Sequence, residues 1–219
     1  MYLLTIYIPK CMIKIMKNNI QNLTFTALMA AILCIMGPIV IPIGMVPMSL
    51  TNMAIYLAII LLDKKKAIIS TAIYLLIGLV GIPVFSGFSA GAGKLLGPTG
   101  GYLMGYLVLS WIGGSILEVV ENRTLKKSRA DDRDKKRKSF VVKEKMLKQG
   151  IALVSGTLGL YLFGTLWLMY QSKLNWMTAL SVGVFPFLVF DAIKILLAVS
   201  MGNSIKKRIS FLVVDNRKN

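Results

Sequence analysis

The sequence predicts an all-α membrane protein with six transmembrane helices and both termini in the cytoplasm. Two observations predict this fold class: apolar residues are concentrated in six long runs, and basic connections alternate with nearly uncharged ones between those runs. The mean hydropathy is +0.70 and 56% of the residues are hydrophobic, whereas soluble domains usually contain about 45–50% apolar residues. The excess indicates membrane-embedded helices rather than a large soluble core.

Six apolar segments are candidate spans, with approximate limits 23–40, 48–62, 67–82, 102–120, 151–170 and 177–201. A spanning helix needs about 20 residues, with a range near 17–25. The second and third segments are short, although Pro47 and Pro83 are suited to bound them. The alternative is one re-entrant segment and fewer spans.

The charges between these segments test the arrangement independently. The first connection (37–47) carries no charge, the third (83–101) carries only Lys94, and the fifth carries only Lys173. The second connection is Asp63-Lys64-Lys65-Lys66, and the fourth (122–148) has twelve Lys or Arg against four acidic residues. By the positive-inside rule, the termini and the even connections face the cytoplasm. Five or seven helices would break this alternation.

The same patterning gives the domain organisation. We expect an N-terminal extension (1–21), a six-helix membrane domain (22–204) and a basic cytoplasmic tail (205–219). The 122–148 stretch is too charged to bury, which predicts a solvated, partly helical cytoplasmic loop. It serves either membrane orientation and headgroup contact or the docking of a cytoplasmic partner. We attribute the net charge of +17 to the membrane rather than to nucleic acid.

Several kinds of chemistry are excluded by composition. The chain has no His, which removes His-based catalysis and most zinc sites. Cys11 and Cys34 have no partner at a motif spacing, so we expect neither a disulfide framework nor a metal site. The Gly-rich stretch that ends at Lys94 lacks the first Gly and the final Ser or Thr of a P-loop. We therefore expect no enzyme, no cofactor and no nucleotide site.

Two charged residues lie well inside a predicted span: Asp191 and Lys194, in PFLVFDAIKILLA. Intramembrane charges cost about 2.5–3.5 kcal/mol each on insertion scales and are usually functional. Their i,i+3 spacing places them on one helix face, where they can pair. A carboxylate accepts and an ammonium donates, so the pair suits a ligand with adjacent donors and acceptors, such as a urea or amide. The alternative is an ion pair that only holds the bundle together.

Two further patterns are candidates for binding. The third connection has eight glycines from Gly81 to Gly105, and glycine permits close backbone approach to a ligand. This connection either folds over a site that opens outward or is a flexible surface loop. In the first span, Ala27 and Ala31 are four residues apart, which lets another helix approach closely, either within the bundle or from another protein.

Four stretches of the chain resemble the BioY family, the biotin-binding S-components of energy-coupling-factor (ECF) transporters. GIPVFSGFSAGAGKLLGPTGGYL resembles the signature region of the family, and TALMAAI is similar to its opening. VPMSLTNMAIYLAIILL resembles the second helix, although Thr51 and Asn52 stand where Gln-Thr is expected. FPFLVFDAIKILLA resembles the last helix, with its Asp and Lys three residues apart. The resemblance extends over about 22–204 and is weak in the charged loop.

The resemblance implies a multi-pass protein of the prokaryotic cytoplasmic membrane that captures biotin from outside. It also implies association with a transmembrane coupling protein and two cytoplasmic ATPases. An S-component for another vitamin, an intramembrane enzyme acting on lipid, and a scaffold that uses the basic loop are the alternatives.

The resemblance also implies roles for particular residues. Asp191 and Lys194 would hold the ureido ring of biotin, and Ala27 and Ala31 would meet the coupling protein. Lys94 is placed against the valerate carboxylate by its charge and loop position alone. Asn52 is a further candidate contact, and the missing Gln leaves one contact open. The residues expected to line or cover the pocket are Ser86, Gly87, Phe88, Gly97, Pro98, Thr99, Gly100, Gly101 and Tyr102.

Overall fold

The computed structural model describes residues 20–41, 46–129 and 135–215. This part of the chain is mostly helical. In chain order its elements are α1 (Ile20–Met36), β1 (Val40–Ile41), β2 (Met48–Ser49), α2 (Thr51–Leu61), α3 (Lys64–Val80), α4 (Ala92–Leu96), α5 (Gly100–Arg129), α6 (Lys135–Ser172), α7 (Trp176–Gly183) and α8 (Phe185–Asp215).

Three helical stretches in the described residues are long and apolar enough to cross a membrane: Gly100–Asn122, Glu144–Ser172 and Trp176–Arg208. The shorter helices α1 and α2 are also apolar. About half of each long stretch is buried inside the protein, and the other half exposes large apolar side chains such as Leu158 and Leu196. Such an outer surface is suited to lipid rather than water. A helical membrane protein is therefore confirmed, while six spans and cytoplasmic termini remain predictions.

The first predicted segment ends earlier than expected. Helix α1 stops at Met36, and the Gly37 amide is the last to donate back into it, to the carbonyl of Leu33 at 2.8 Å. Pro38 has no amide hydrogen to continue the ladder. The chain then enters a short antiparallel hairpin in which Val40 pairs with Ser49. The hairpin explains why α2 begins at Thr51 rather than at the predicted residue 48.

The sixth predicted segment is two helices rather than one. Val184, with φ −130° and ψ −57°, separates α7 from α8. Pro186 lies in the first turn of α8, where its missing amide hydrogen costs nothing, but it cannot donate to the preceding turn. The predicted segment 177–201 lies within the apolar stretch Trp176–Arg208, which is long enough to cross a membrane and is divided at Val184 into α7 and α8. As a result, the end of α7 and the beginning of α8 meet beside Asp191.

The Gly-rich third connection is held by specific contacts. Gly81, at φ +113°, ends α3 in the left-handed conformation, which glycine adopts without strain. The ring of Phe85 is fully buried against Gly78, where a Cβ would lie 2.1 Å from the ring. A Cβ on Gly101 would lie 2.2 Å from Cβ of Trp167. The connection therefore packs against α3 and α6.

The two ends of the helix bundle differ in charge. At one end, called the basic end, Glu121 of α5 accepts a hydrogen bond from Lys206 of α8 at 2.9 Å and pairs with Lys145 of α6 at 3.6 Å. Gln149 and Asn203 exchange amide hydrogen bonds nearby. At the opposite end, called the neutral end, α2, α5 and α8 begin and α6 finishes. Basic side chains are thus concentrated at one end of the bundle, as the alternating connections predict.

Candidate ligand-binding site

A cavity opens at the neutral end of the bundle, between β2, α2, α5, α6 and the break between α7 and α8. The enclosed cavity is about 40 Å³, and about 370 Å³ of space is free when the open solvent at its mouth is counted. Polar side chains from three different helices meet aromatic and aliphatic walls there, a composition typical of small-molecule sites. The lining residues are Val46, Pro47, Ser49, Asn52, Tyr102, Tyr106, Leu160, Tyr161, Gly183, Phe187, Asp191 and Lys194.

Asp191 and Lys194 form a buried ion pair in the wall of this cavity. Only 3% of Asp191 and 7% of Lys194 is exposed. Nζ of Lys194 lies 2.9 Å from Oδ1 of Asp191, as their spacing on one helix face predicts. The same ammonium donates to the backbone carbonyl of Ser49 at 2.9 Å. Because Ser49 belongs to the hairpin, this bond joins the last helix to the strand before α2.

The other carboxylate oxygen of Asp191 receives two more hydrogen bonds. Tyr161 of α6 donates its hydroxyl at 2.6 Å, and Asn52 of α2 donates its amide at 3.1 Å. A buried carboxylate is tolerated only when it is paired and hydrogen-bonded. Here donors from α2, α6 and α8 converge on it, so the charge is compensated by three separate parts of the sequence.

The ion pair keeps unused hydrogen-bonding capacity. An ammonium has three donors and a carboxylate about four acceptor positions. Among the described residues, Lys194 uses two of its donors and Asp191 uses three of its acceptor positions. Asp191 and Lys194 are the charged residues among the described lining residues, and their charges cancel. The polar wall is therefore suited to a neutral group that presents N–H donors beside a carbonyl.

Tyr102 connects the glycine-rich signature to the cavity. Its hydroxyl donates to the carbonyl of Gly183 at 3.1 Å and lies 3.4 Å from the hydroxyl of Thr165. The ring is buried and forms part of the wall, opposite the beginning of α8. Four of the predicted ligand-binding residues thus line the cavity: Asn52, Tyr102, Asp191 and Lys194.

The other predicted residues of the third connection lie outside the cavity lining. The carbonyl of Gly97 accepts from the Trp167 indole at 3.0 Å, and the Gly87 amide donates to the carbonyl of Pro38 at 3.2 Å. Phe88 is 73% exposed at φ +56°, and Lys94 is on the short helix α4. The structure gives this group contacts with the protein, and its ligand contacts remain predictions. The group comprises Ser86, Gly87, Phe88, Lys94, Gly97, Pro98, Thr99, Gly100 and Gly101.

Several lining residues carried no signal in the sequence. Tyr106, Leu160 and Tyr161 lie in apolar runs, where an aromatic or aliphatic residue is usually part of a packed core. Ser49 contributes its backbone carbonyl, which any residue type could supply. Pro186 was the one available hint, since a proline inside a predicted span marks a kink or break. On α1, Ala27 and Ala31 are both exposed, so the partner prediction falls on accessible residues.

Comparison with known proteins supports the resemblance seen in the sequence. Residues 12–211 match the BioY family, beginning inside the segment expected to be an extension. The chain is 30% identical over 194 residues to biotin transporter BioY2 of Lactococcus lactis subsp. cremoris, covering 89% of this chain and 94% of that protein. It is 32% identical over 198 residues to biotin transporter BioY of Thermotoga maritima, covering 88% and 97% respectively.

A solved structure shares the fold as well. The crystal structure of the S-component for biotin from an ECF-type ABC transporter superposes with a TM-score of 0.70 and 29% sequence identity. The similarity covers 87% of this chain and 93% of that one. The family match spans nearly the whole described chain, and the relatives align along almost their full length. The predicted resemblance is therefore confirmed, and the chain belongs to the BioY family.

Proposed function

We propose that the chain is the substrate-binding S-component of an ECF-type ABC transporter, which captures biotin outside the cell for uptake powered by separate ATPase subunits. The observation that carries this proposal is the buried Asp191–Lys194 pair in the wall of a cavity, in a chain of the BioY family. The chain is a transport protein rather than an enzyme.

The polar wall is complementary to the ureido ring of biotin. That ring has two N–H donors on either side of one carbonyl oxygen. The carboxylate of Asp191 can accept from an N–H, and the remaining donor of Lys194 can give a hydrogen bond to the carbonyl. Because charge-assisted hydrogen bonds are roughly twice as strong as neutral ones, the ion pair recognises a neutral urea without requiring a charged ligand.

The rest of the cavity suits the apolar part of the molecule. Tyr102, Tyr106, Leu160 and Phe187 present rings and an aliphatic side chain to the fused ring system and its alkyl chain. The valerate carboxylate would stay towards the mouth, because both charged groups of the described lining are already paired with each other. Lys94 remains the candidate for that carboxylate on grounds of charge and loop position.

The orientation follows from the charge of the two bundle ends. Along α8, Asp191 is 15 residues before Lys206, which is a rise of ~22 Å. Since Lys206 is at the basic end and basic ends face the cytoplasm, the cavity opens on the external side. Six spans with cytoplasmic termini, in the cytoplasmic membrane of a prokaryote, complete this arrangement.

Energy must come from other subunits under this proposal. The sequence contains no complete P-loop, so the chain joins a transmembrane coupling protein and two cytoplasmic ATPases. Ala27 and Ala31 are proposed to meet the coupling protein, because small exposed residues four apart on α1 allow a partner helix to approach closely.

A ligand panel tests the proposal against its nearest competitor, an S-component for another vitamin. The melting temperature of the detergent-purified protein is measured with biotin, riboflavin, thiamine and folate at equal concentration. A ligand present at 100 times its Kd stabilises the folded state by about 2.7 kcal/mol. Biotin alone should raise the melting temperature. A shift with another vitamin would reassign the ligand, and no shift with any small molecule would favour the scaffold alternative.

A further inference from the structure

Among the described residues, Tyr161 makes the shortest hydrogen bond to the ion pair, although no sequence pattern singles it out. Its side chain is 7% exposed, and its hydroxyl donates to Oδ2 of Asp191 at 2.6 Å. Hydrogen bonds from a hydroxyl to a carboxylate are short and strong when the acceptor is ionised. The 2.6 Å distance is therefore the one expected when the Tyr161 hydroxyl donates to an ionised Asp191 carboxylate.

The origin of Tyr161 gives this bond a role that Lys194 cannot fill. Lys194 is on the same helix as Asp191, three residues away, so it connects the carboxylate to another element only indirectly, through its own bond to the Ser49 carbonyl. Tyr161 comes from α6, a different helix of the cavity wall, and bonds to the carboxylate directly. Asn52, from α2, donates to the same oxygen at the longer distance of 3.1 Å. Together they hold Oδ2 and leave the second lone pair of Oδ1 for a ligand.

We propose that Tyr161 is a positioning residue for biotin recognition, which holds the Asp191 carboxylate in the orientation that receives the ureido N–H. This inference rests on the proposed function. Tyr161 acts through Asp191, and its contribution disappears when the carboxylate is removed. Without the hydroxyl, the carboxylate keeps one donor from another helix and is free to rotate away from the ligand.

A double-mutant cycle tests this dependence, because residues acting through one another give non-additive effects. Biotin affinity is measured by titration calorimetry for the parent, Tyr161→Phe, Asp191→Asn and the double variant. Loss of a hydrogen bond to a charged group should weaken binding about 10-fold in Tyr161→Phe. Asp191→Asn, unlike Asp191→Leu, keeps an oxygen that can accept from the ureido N–H, so its binding should be weak but measurable. In this background the same change should cost about 2-fold or less. A purely structural role for Tyr161 would give the same factor in both backgrounds.

Thr71→Val is the matched control. Thr71 of α3 is fully buried and its hydroxyl lies 3.0 Å from the hydroxyl of Ser110, so this variant also loses a buried hydroxyl contact, at a site away from the cavity lining. It should bind biotin within about 2-fold of the parent in both backgrounds. Tyr161→Met provides a second variant without a hydroxyl, since the flexible methionine side chain fills irregular space. It keeps the test decisive if the phenylalanine variant fails to fold.

The outcomes separate this inference from the function on which it rests. A parent that binds biotin, with a coupled cycle, supports both. A parent that binds biotin while Tyr161→Phe binds equally well, or loses the same factor in both backgrounds, overturns the positioning role alone. A parent that does not bind biotin overturns the proposed function, and the positioning role with it.

Discussion

Tyr102 and Gly183 are in direct contact at the cavity. The phenol donates to the glycine carbonyl at 3.1 Å, and a Cβ on Gly183 would lie 2.1 Å from the phenol oxygen. The tyrosine belongs to the GPTGGY stretch and the glycine ends α7, immediately before the break at Val184. The contact therefore joins the glycine-rich signature to the end of α7, next to the beginning of α8, the helix that carries the ion pair.

Gly183→Ala should weaken biotin binding about 10-fold, because overpacking by one methyl group costs about 1–3 kcal/mol and Tyr102 must move to accept it. Calorimetric titration gives the affinity. Gly150→Ala is the control, since a Cβ on Gly150 of α6 meets nothing within 4 Å. Unchanged affinity in Gly183→Ala would mean that the position of Tyr102 does not matter for the ligand.

Variants of the buried ion pair should distinguish its contribution to stability from its contribution to biotin binding. Asp191→Leu or Lys194→Met alone leaves an unpaired buried charge, which costs about 3–5 kcal/mol, so each should lower the melting temperature and abolish measurable binding. The double variant removes both charges and should recover much of the thermal stability without recovering binding. Thermal unfolding and biotin titration on the three variants check this. Recovery of binding in the double variant would show that the pair is only structural.

The glycine-rich stretch should stabilise the protein because it packs closely against α6. Gly101→Ala places a Cβ 2.2 Å from Cβ of Trp167 and should destabilise the protein by about 1–3 kcal/mol. Gly93→Ala, in α4, meets nothing within 4 Å and should be neutral. The melting temperatures of the two variants test this difference in stability. Equal melting temperatures would contradict the packing described for this connection.

The fold class and the charged residues of the site could be predicted from the sequence for a physical reason. Charge inside a lipid-facing run is costly, so Asp191 and Lys194 stood out without any structure. Tyr161 did not, because a tyrosine in an apolar run looks like any other core residue until the tertiary fold places its hydroxyl beside a carboxylate. The break at Val184 was missed because hydropathy measures apolarity and not backbone geometry; Pro186 was its local cause.

The alanines of α1 should affect transport and leave ligand capture intact. Ala27→Trp and Ala31→Trp add bulk on an exposed face, where it would keep a partner helix at a distance. Biotin binding by the isolated chain should stay within about 2-fold, because neither residue lines the cavity. Copurification with the coupling protein and ATPases should be lost.

Leu158→Trp is the control for these variants. Leu158 is 59% exposed and lies on α6, a different helix from the one that carries the two alanines. This variant should copurify as the parent does. Loss of the complex in Leu158→Trp as well, or its retention in both alanine variants, would remove Ala27 and Ala31 from the proposed interface.

The most direct measurement is isothermal titration of biotin into detergent-purified protein prepared without biotin, followed by mass spectrometry of the denatured protein for retained ligand. We expect tight one-to-one binding that is lost in Asp191→Leu. No heat of binding, with no biotin retained by the protein, would contradict the assignment of this chain to biotin capture.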